Sequence, residues 1–393
     1  MKRYITILTL TLCVAVTGYA QNGYEHILSE IEKNNTTLQA LRRQAEALKL
    51  ENETGIYLDN PEVELKRMFE GSSDEGALTE ISVKQSFDFP SAYSHRSKIA
   101  DGRNLVVDME YQQSRKDILL EATMLCVNLT YRNILKKELE KRFAHAKGIA
   151  DATRVRFNSG ETDILERNKA RLSLLSARKA SEANEVERGA ILSELARLNG
   201  GNSISAEPQS YFAYQLPSNF DEWFQRIKAN NPILLAAAYN IELSKKQVKL
   251  NKAMSLPKLS AGYINERVGG NTRHGLSVGI SVPLWQNKNT VKSAKIQTKA
   301  LESAEVDTRL QFYNTLKLRY EKALGLHNLI DDYKKILSTI NSDELLKKAL
   351  DNGKLSLLSY LMELSIYYDA IDALLEAERD YQYAISELMQ WNS

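Results

Sequence analysis

Between Pro257 and Asn287 the chain alternates strictly. Leu276, Val278, Ile280, Val282 and Leu284 are apolar, and Ser277, Gly279, Ser281 and Pro283 stand between them. A period of two puts one apolar face and one small or polar face on a strand of about ten residues, which is the length that crosses a bilayer in a β-barrel. Leu259, Ala261 and Tyr263 alternate in the same way with Lys258, Ser260 and Gly262, and Gly269-Gly270-Asn271 supplies a turn between the two runs. A soluble hairpin with one face on a core has the same alternation, so the hairpin alone leaves both readings open.

The flanking patterns are helical. Tyr24 to Tyr57 is amphipathic, with Ile27, Ile31, Leu38, Leu41, Ala45 and Leu48 on its apolar face. Pro61 opens an alternating run through Val63 and Leu65. A polar segment, 71–76, leads to a second run with Ile81, Val83, Phe87 and Phe89 on one parity and Glu80, Ser82, Lys84 and Ser86 on the other. From Ser91 to Phe157 there is no proline, and a continuous helix of that length, about 65 residues, rises on the order of 100 Å. Asn158-Ser159-Gly160 breaks it, and Thr162 to Leu198 is helical again. The order then recurs: helix from Phe220 to Met254, alternating runs over 257–285, helix from Asn289 to Leu350, a break at Asp351-Asn352-Gly353, and helix from Lys354 to Gln390. Asn34, Asn35, Leu38, Ala40, Glu46, Lys49 and Pro61 reappear at the same spacing as Asn230, Asn231, Leu234, Ala236, Glu242, Lys245 and Pro257. The chain therefore reads as a duplicated helix–hairpin–helix–helix unit, with a first repeat over 21–205 and a second over 206–393. The segment from Asn199 to Pro217 reads as the linker. Tyr313, Leu316, Tyr320, Ala323, His327 and Ile330 step by three and four, as do Leu357, Leu361, Leu364, Tyr368, Ile371 and Leu375, which is coiled-coil spacing.

Two strands per repeat give four, too few to close a barrel, and an open sheet in lipid would leave unpaired edges. Strands must then come from several chains: two chains give eight strands and a filled interior, and three give twelve and room for a pore. Ser82, Lys84, Ser86, Ser277, Gly279 and Ser281 suit a wet lumen, and the opposite parity suits lipid. The segments 71–76 and 268–275 are expected as loops facing outward.

Met1-Lys2-Arg3, the apolar run Ile5 to Val16 and the small residues Gly18-Tyr19-Ala20 form a secretory signal peptide over 1–20. Leu12 stands before Cys13 where a lipoprotein site needs a small residue, so lipidation is not expected. Without the leader Cys126 is the one cysteine, which excludes an internal disulfide. Lys and Arg number 52 against 50 Asp and Glu, a net charge of +2, which argues against nucleic acid as a partner. No apolar run approaches the roughly 20 residues of a membrane helix. No phosphate-cradling glycine loop, paired-histidine metal motif or nucleophile turn is present. His26, His95, His145, His274 and His327 are scattered singly. The chain is expected to be no enzyme and to need no metal or other cofactor.

The order of elements resembles the TolC-like outer-membrane efflux channels over essentially the whole mature chain. Asn60-Pro61-Glu62-Val63-Glu64-Leu65 and Gln85-Ser86-Phe87-Asp88-Phe89-Pro90 are similar to that family's first hairpin. Gly279 to Asn289 (GISVPLWQNKN) is similar to the second, especially in members tied to heavy-metal resistance pumps. Arg156-Phe157-Asn158-Ser159-Gly160 and Asp351-Asn352-Gly353 resemble the periplasmic turns. The resemblance implies a mainly α protein with a small β part. It implies a homotrimer in the bacterial outer membrane, whose twelve-stranded barrel continues into a periplasmic helical barrel. It also implies docking of a periplasmic adaptor (a membrane fusion protein) on the helical turns and, through it, an inner-membrane pump. Arg156, Gly160, Glu161, Thr162, Asp163, Asn352, Gly353, Lys354 and Ser356 are the candidates for adaptor contact. Some family members narrow the tip with aspartates just after the second turn. Ser359 and Met362 stand there in this chain, leaving Glu166 and Glu363 as the nearest lumen or gate carboxylates. The rival reading is a secreted or periplasmic coiled-coil interaction protein with no transport role.

Overall fold

A computed structural model describes residues 24–69, 78–205, 207–339 and 342–392. The leader and the loop at 71–76 lie outside the described residues. Among these residues the elements run α1 (24–34), α2 (Thr36–Asn52), β1 (Glu62–Met68), β2 (Leu78–Phe87), α3 (Pro90–Asn158), α4 (Ile164–Leu198), α5 (Phe220–Lys228), α6 (Pro232–Ala253), β3 (Lys258–Val268), β4 (Asn271–Ser281), α7 (Thr290–Thr339), α8 (Ser342–Asp351) and α9 (Leu357–Met389). The chain divides into two compact units. One holds Ala40–Gln113 and Lys228–Phe312, and the other holds the residues up to Gln39 with Ser114–Ile227 and Tyr313–Ser393.

The first of these units carries a four-stranded antiparallel sheet in the order β1-β2-β3-β4. Strands β2 and β3 pair along their lengths, from Leu78 with Val268 to Phe87 with Leu259, so the two hairpins form one continuous sheet. Cross-strand partners share a face, and the register sorts the residues by chemistry. One face carries the rows Phe87–Leu259–Ile280, Gln85–Ala261–Val278, Val63–Val83–Tyr263–Leu276 and Leu65–Ile81–Asn265–His274. The other carries Ser86–Ser260–Gly279, Glu62–Lys84–Gly262–Ser277 and Glu64–Ser82–Ile264–Gly275. The small and polar parities of both hairpins thus fall on one side. Leu276 and Val278 are 87% and 86% exposed, so nothing among the described residues covers the apolar side there. The outer edges of β1 and β4 have no strand partner among the described residues.

Asp88, just past β2, ties the sheet to its helices. Its buried carboxylate meets Arg96 of α3 at 2.5 Å and Lys258 of β3 at 2.9 Å. Burial alone would raise its pKa, but the Lys258 and Arg96 charges outweigh that and hold the carboxyl below its usual value.

In the other unit, Tyr24, Ile27 and Ile31 of α1 are buried with Ala122, Cys126, Val127 and Leu129 of α3 and Ile191, Leu195 and Leu198 of α4. The aligned positions of the second repeat, Phe220, Trp223 and Ile227, are buried as well, with Phe220 packing on Tyr313 and Tyr320. Cys126 is fully buried and its thiol is pushed up to about 12 by burial, which makes it inert packing.

Three expectations are corrected by the structure. The helices expected to run unbroken over 24–57 and 220–254 are each interrupted, at Asn35 and at 229–231. Buried Asn35 accepts from the Leu38 N–H at 2.8 Å, and buried Asn231 accepts from Ile233 and Leu234 at 3.0 and 3.1 Å, so each caps a new helix. The expected loop at 268–275 is mostly strand. Gly269 and Gly270 take φ of 52° and 87°, and this two-residue turn lets β4 start at Asn271. The supposed linker is a packed strap: Ile204, Tyr211 and Phe212 lie on the α1–α3–α4 core, and Pro208 accepts a bond from buried Asn133.

The Asp88 ties predict a pH dependence. A carboxylate held below its usual value contributes stability that is complete above about pH 4 and is lost as the pH falls through its folded pKa. Asp88→Asn should cost about 1–3 kcal/mol near neutral pH. It should also flatten the acid limb of stability against pH, as followed by chemical denaturation monitored by circular dichroism.

Candidate functional site at the two helical turns

Both helix-to-helix turns are closed by the same local geometry. At the first, Gly160 takes φ of 79°, a value open to glycine at little cost. Its N–H donates to the Phe157 carbonyl at 3.1 Å, and the Glu161 N–H reaches back to the Arg156 carbonyl at 2.8 Å. Asp163 then caps α4 by accepting from the Glu166 N–H at 2.8 Å, while the Thr162 hydroxyl donates to the Glu166 carboxylate. Arg156 and Glu161 form a loose ion pair at 3.9 Å. At the second turn Gly353 takes φ of 68°, its N–H donates to Leu350 at 3.0 Å, and Lys354 N–H donates to Ala349 at 2.8 Å. Ser356 caps α9 through the Ser359 N–H at 3.1 Å. Thr162, Asp163 and Ser356 are thus committed to their own turns, with their flanks left for contact.

The two turns meet across an open groove of about 810 Å³. Arg156 and Glu166 line it from one side, and Lys347, Asp351, Gly353 and Ser356 from the other. Its charges are balanced, with Arg156 and Lys347 set against Glu166 and Asp351. Gly160, Glu161, Thr162, Asp163, Asn352 and Lys354 do not line the groove. Gly160, Glu161, Asp163, Asn352 and Lys354 are exposed on the turns, and Thr162 is half-buried. Glu363 is exposed on α9 and lines neither this groove nor its neighbour, whereas Glu166 lines the groove.

The residues that hold this region together were not among the sequence candidates. A second cavity of about 350 Å³ lies between α3, α4 and α9, and His145 borders both spaces. Its Nε2 is 2.7 Å from the hydroxyl of buried Tyr360, and its Nδ1 is 3.1 Å from that of Tyr368. A neutral imidazole donates from one nitrogen and accepts at the other, so it satisfies both tyrosines at once. Arg142, one turn earlier on α3, stacks on Tyr368 with its Cζ 4.4 Å from the ring centre and grips Asp372 at 2.8 and 2.9 Å. Burial works against the Arg142 charge, but Asp372 and Glu138 outweigh it and raise its pKa. Tyr368 carried a signal in the sequence, because it is a polar residue at a position of the apolar heptad. His145 carried none.

The polar face of the sheet is the other candidate surface. Glu62, Glu64, Glu80 and Glu266 stand there with Lys66, Lys84, Lys258 and Arg273 in register, and Lys66 lies 3.0 Å from Glu64 and 3.6 Å from Glu80. Among the described residues no group of His, Cys, Asp and Glu could hold a metal ion, and no helix is long and apolar enough to cross a membrane.

No protein-family model and no curated protein sequence matches the chain. Solved structures do. CusC, described as forming a transmembrane channel, aligns over 94% of this chain and 92% of its own, with a TM-score of 0.79 and 14% identity. The CmeC outer membrane channel of Campylobacter jejuni aligns over 94% and 85%, with a TM-score of 0.71 and 17% identity. The MtrE outer membrane channel of Neisseria gonorrhoeae aligns over 94% and 88%, with a TM-score of 0.72 and 14% identity. The chain has the fold of these outer-membrane channels. Within that channel fold, the helical turns and the two-faced sheet are the surfaces open to function.

Removing the hydroxyl in Tyr360→Phe leaves His145 Nε2 without its 2.7 Å partner. The expected loss is about 1–2 kcal/mol, with faster amide exchange in α9 around residues 357–368. Exchange mass spectrometry on the intact protein checks both the size and the place of the effect.

Proposed function

We propose that this chain is the outer-membrane exit duct of a tripartite efflux system. Three copies close a twelve-stranded barrel, a periplasmic adaptor docks on the helical turns, and an inner-membrane pump supplies the work. The observation that carries this reading is the sheet: one continuous antiparallel layer with an exposed apolar face, a small and polar face, and two edges without partners among the described residues. Such a layer is at rest in hydrocarbon only when the edges of neighbouring copies pair. Exposed Tyr57, Phe89 and Trp285 flank the strands at their helix-side ends, as interfacial aromatics do in barrels. The similarity to channel structures supports the same reading. The polar face carries balanced charge, which suits a duct that leaves selection to the pump. The chain itself then does no bond chemistry.

Arg156, Glu166, Lys347, Asp351 and Ser356 are the surface offered to the adaptor, together with exposed Glu161, Asn352 and Lys354. Gly160 and Gly353 set the course of the turns. The leader over 1–20 directs export, and the repeats over 21–205 and 206–393 each supply one hairpin to the barrel.

Two measurements test the proposal. Membrane fractionation should place the protein in the outer membrane, released by detergent as a trimer; a freely soluble monomer would favour the coiled-coil interaction protein instead. Gly160→Val with Gly353→Val forces β-branched residues into the left-handed region, at about 1–2 kcal/mol each. Efflux, read as resistance to the exported compound, should fall while detergent-extracted trimers persist. Unchanged resistance would remove the turns from the docking role.

A further inference from the structure

At the end of the sheet away from its helices, the apolar face changes character. The register sets Arg67, Thr79, Arg267 and Thr272 in one row, next to the row of Leu65, Ile81, Asn265 and His274. Both arginines therefore stand on the face of Val63, Val83, Tyr263 and Leu276, and both are exposed. From the Phe87–Leu259–Ile280 row to the arginine row is about 27 Å along the strands, close to the roughly 25 Å apolar band of outer-membrane barrels. The neighbouring row, on the opposite face, differs in charge pairing. Lys66 on the polar face is paired with Glu64 and Glu80, whereas no carboxylate among the described residues pairs with Arg67 or Arg267. Arg67 instead lies over the ring of exposed Phe69, at 5.0 Å from its centre. In the row after it, the apolar residues Met68, Leu78 and Val268 fall on the polar face.

We infer that this row is a docking surface for the phosphate-bearing headgroup of an outer-leaflet lipid. The inference rests on the membrane reading above. Arg67 and Arg267 sit on β1 and β3 with Thr79 of β2 between them, so their backbones are about 10 Å apart. Two guanidinium forks at that spacing close on one phosphate group from both sides, with the Thr79 hydroxyl as a further donor beneath it. The apolar rows directly below offer the same molecule's acyl chains a surface, which a free phosphate would not use. Phe69 follows beyond the arginine row, on the side away from the apolar rows. A cation facing hydrocarbon is tolerated only at the edge of the band, and a phosphate layer supplies a counter-charge that no carboxylate among the described residues gives Arg67 or Arg267.

The test uses the full-length protein in phosphatidylcholine vesicles doped with either diphosphorylated or dephosphorylated lipid A, followed by native mass spectrometry of co-purifying lipid. Two surface cations predict roughly thirtyfold enrichment of the phosphorylated form. Arg67→Gln with Arg267→Gln should bring it to within about twofold while leaving incorporation into both vesicle types intact, whereas Lys66→Gln on the polar face should keep the enrichment. Incorporation without discrimination by the natural protein, or enrichment retained in the double variant, overturns the inference and leaves the membrane reading standing. Failure to enter either vesicle overturns both.

Discussion

The outer edges of β1 and β4 are the constraint on which the other features depend. Alternate residues along them present both an N–H and a C=O with no strand beside them among the described residues. In water such groups are hydrated, but in hydrocarbon each costs several kcal/mol. A few residues of unpaired edge would therefore cancel the net stability of an ordinary domain. The apolar face pushes the sheet toward lipid and the edges forbid it to go alone. On the proposed reading, burial of the apolar face and edge pairing between copies occur together or not at all. The pairing of β2 with β3 removes the two inner edges within one chain, so only two remain for partners to satisfy.

The helical unit solves a different problem. On the proposed reading its turns must be exposed, yet the helices leading to them must keep their direction over many residues. Exposed turns closed by backbone bonds and caps hold their own shape without burial. Behind them, the His145, Tyr360 and Tyr368 bonds and the Arg142–Asp372 pair join α3 to α9 with directional contacts. Leucine packing alone lets helices slide by a fraction of a turn, whereas an imidazole bonded to one hydroxyl through each of its nitrogens fixes the register.

The sequence made the periodic parts of this fold legible and the aperiodic parts obscure. Alternation of Leu276, Val278 and Ile280 with Ser277 and Gly279 located β4, and the absence of proline over 91–157 announced α3, because both signals repeat many times. The breaks at Asn35 and Asn231 leave no periodic mark, even though the two asparagines align between the repeats. A single cap is one residue's signal, and the apolar positions on either side continue the helical pattern. The packed strap over 199–217 was read as a linker because its Gly and Ser content hides Ile204, Tyr211 and Phe212, which reach the core one at a time. The turn residues were found because glycine at a helix break is a local cue, while His145 meets Tyr360 and Tyr368 only through the packing of distant helices. With 14% identity to CusC, shared words in the sequence are few, and the likeness lies in the geometry that those periodic patterns encode.

Gly262 and Gly279 carry a last consequence. A Cβ built on Gly262 would lie 2.7 Å from the Ser277 hydroxyl and 2.8 Å from the Val83 carbonyl, and one on Gly279 would lie 2.6 Å from the Ser260 hydroxyl. The polar face is crowded here even though its side chains are small. Crowding on one side and bulk on the other give a sheet its curl, with the small residues on the inside of the bend. In a closed ring of strands that curl decides the calibre of the bore. On the proposed reading, the width of the bore would then be written in the methyl groups that Gly262 of β3 and Gly279 of β4 lack.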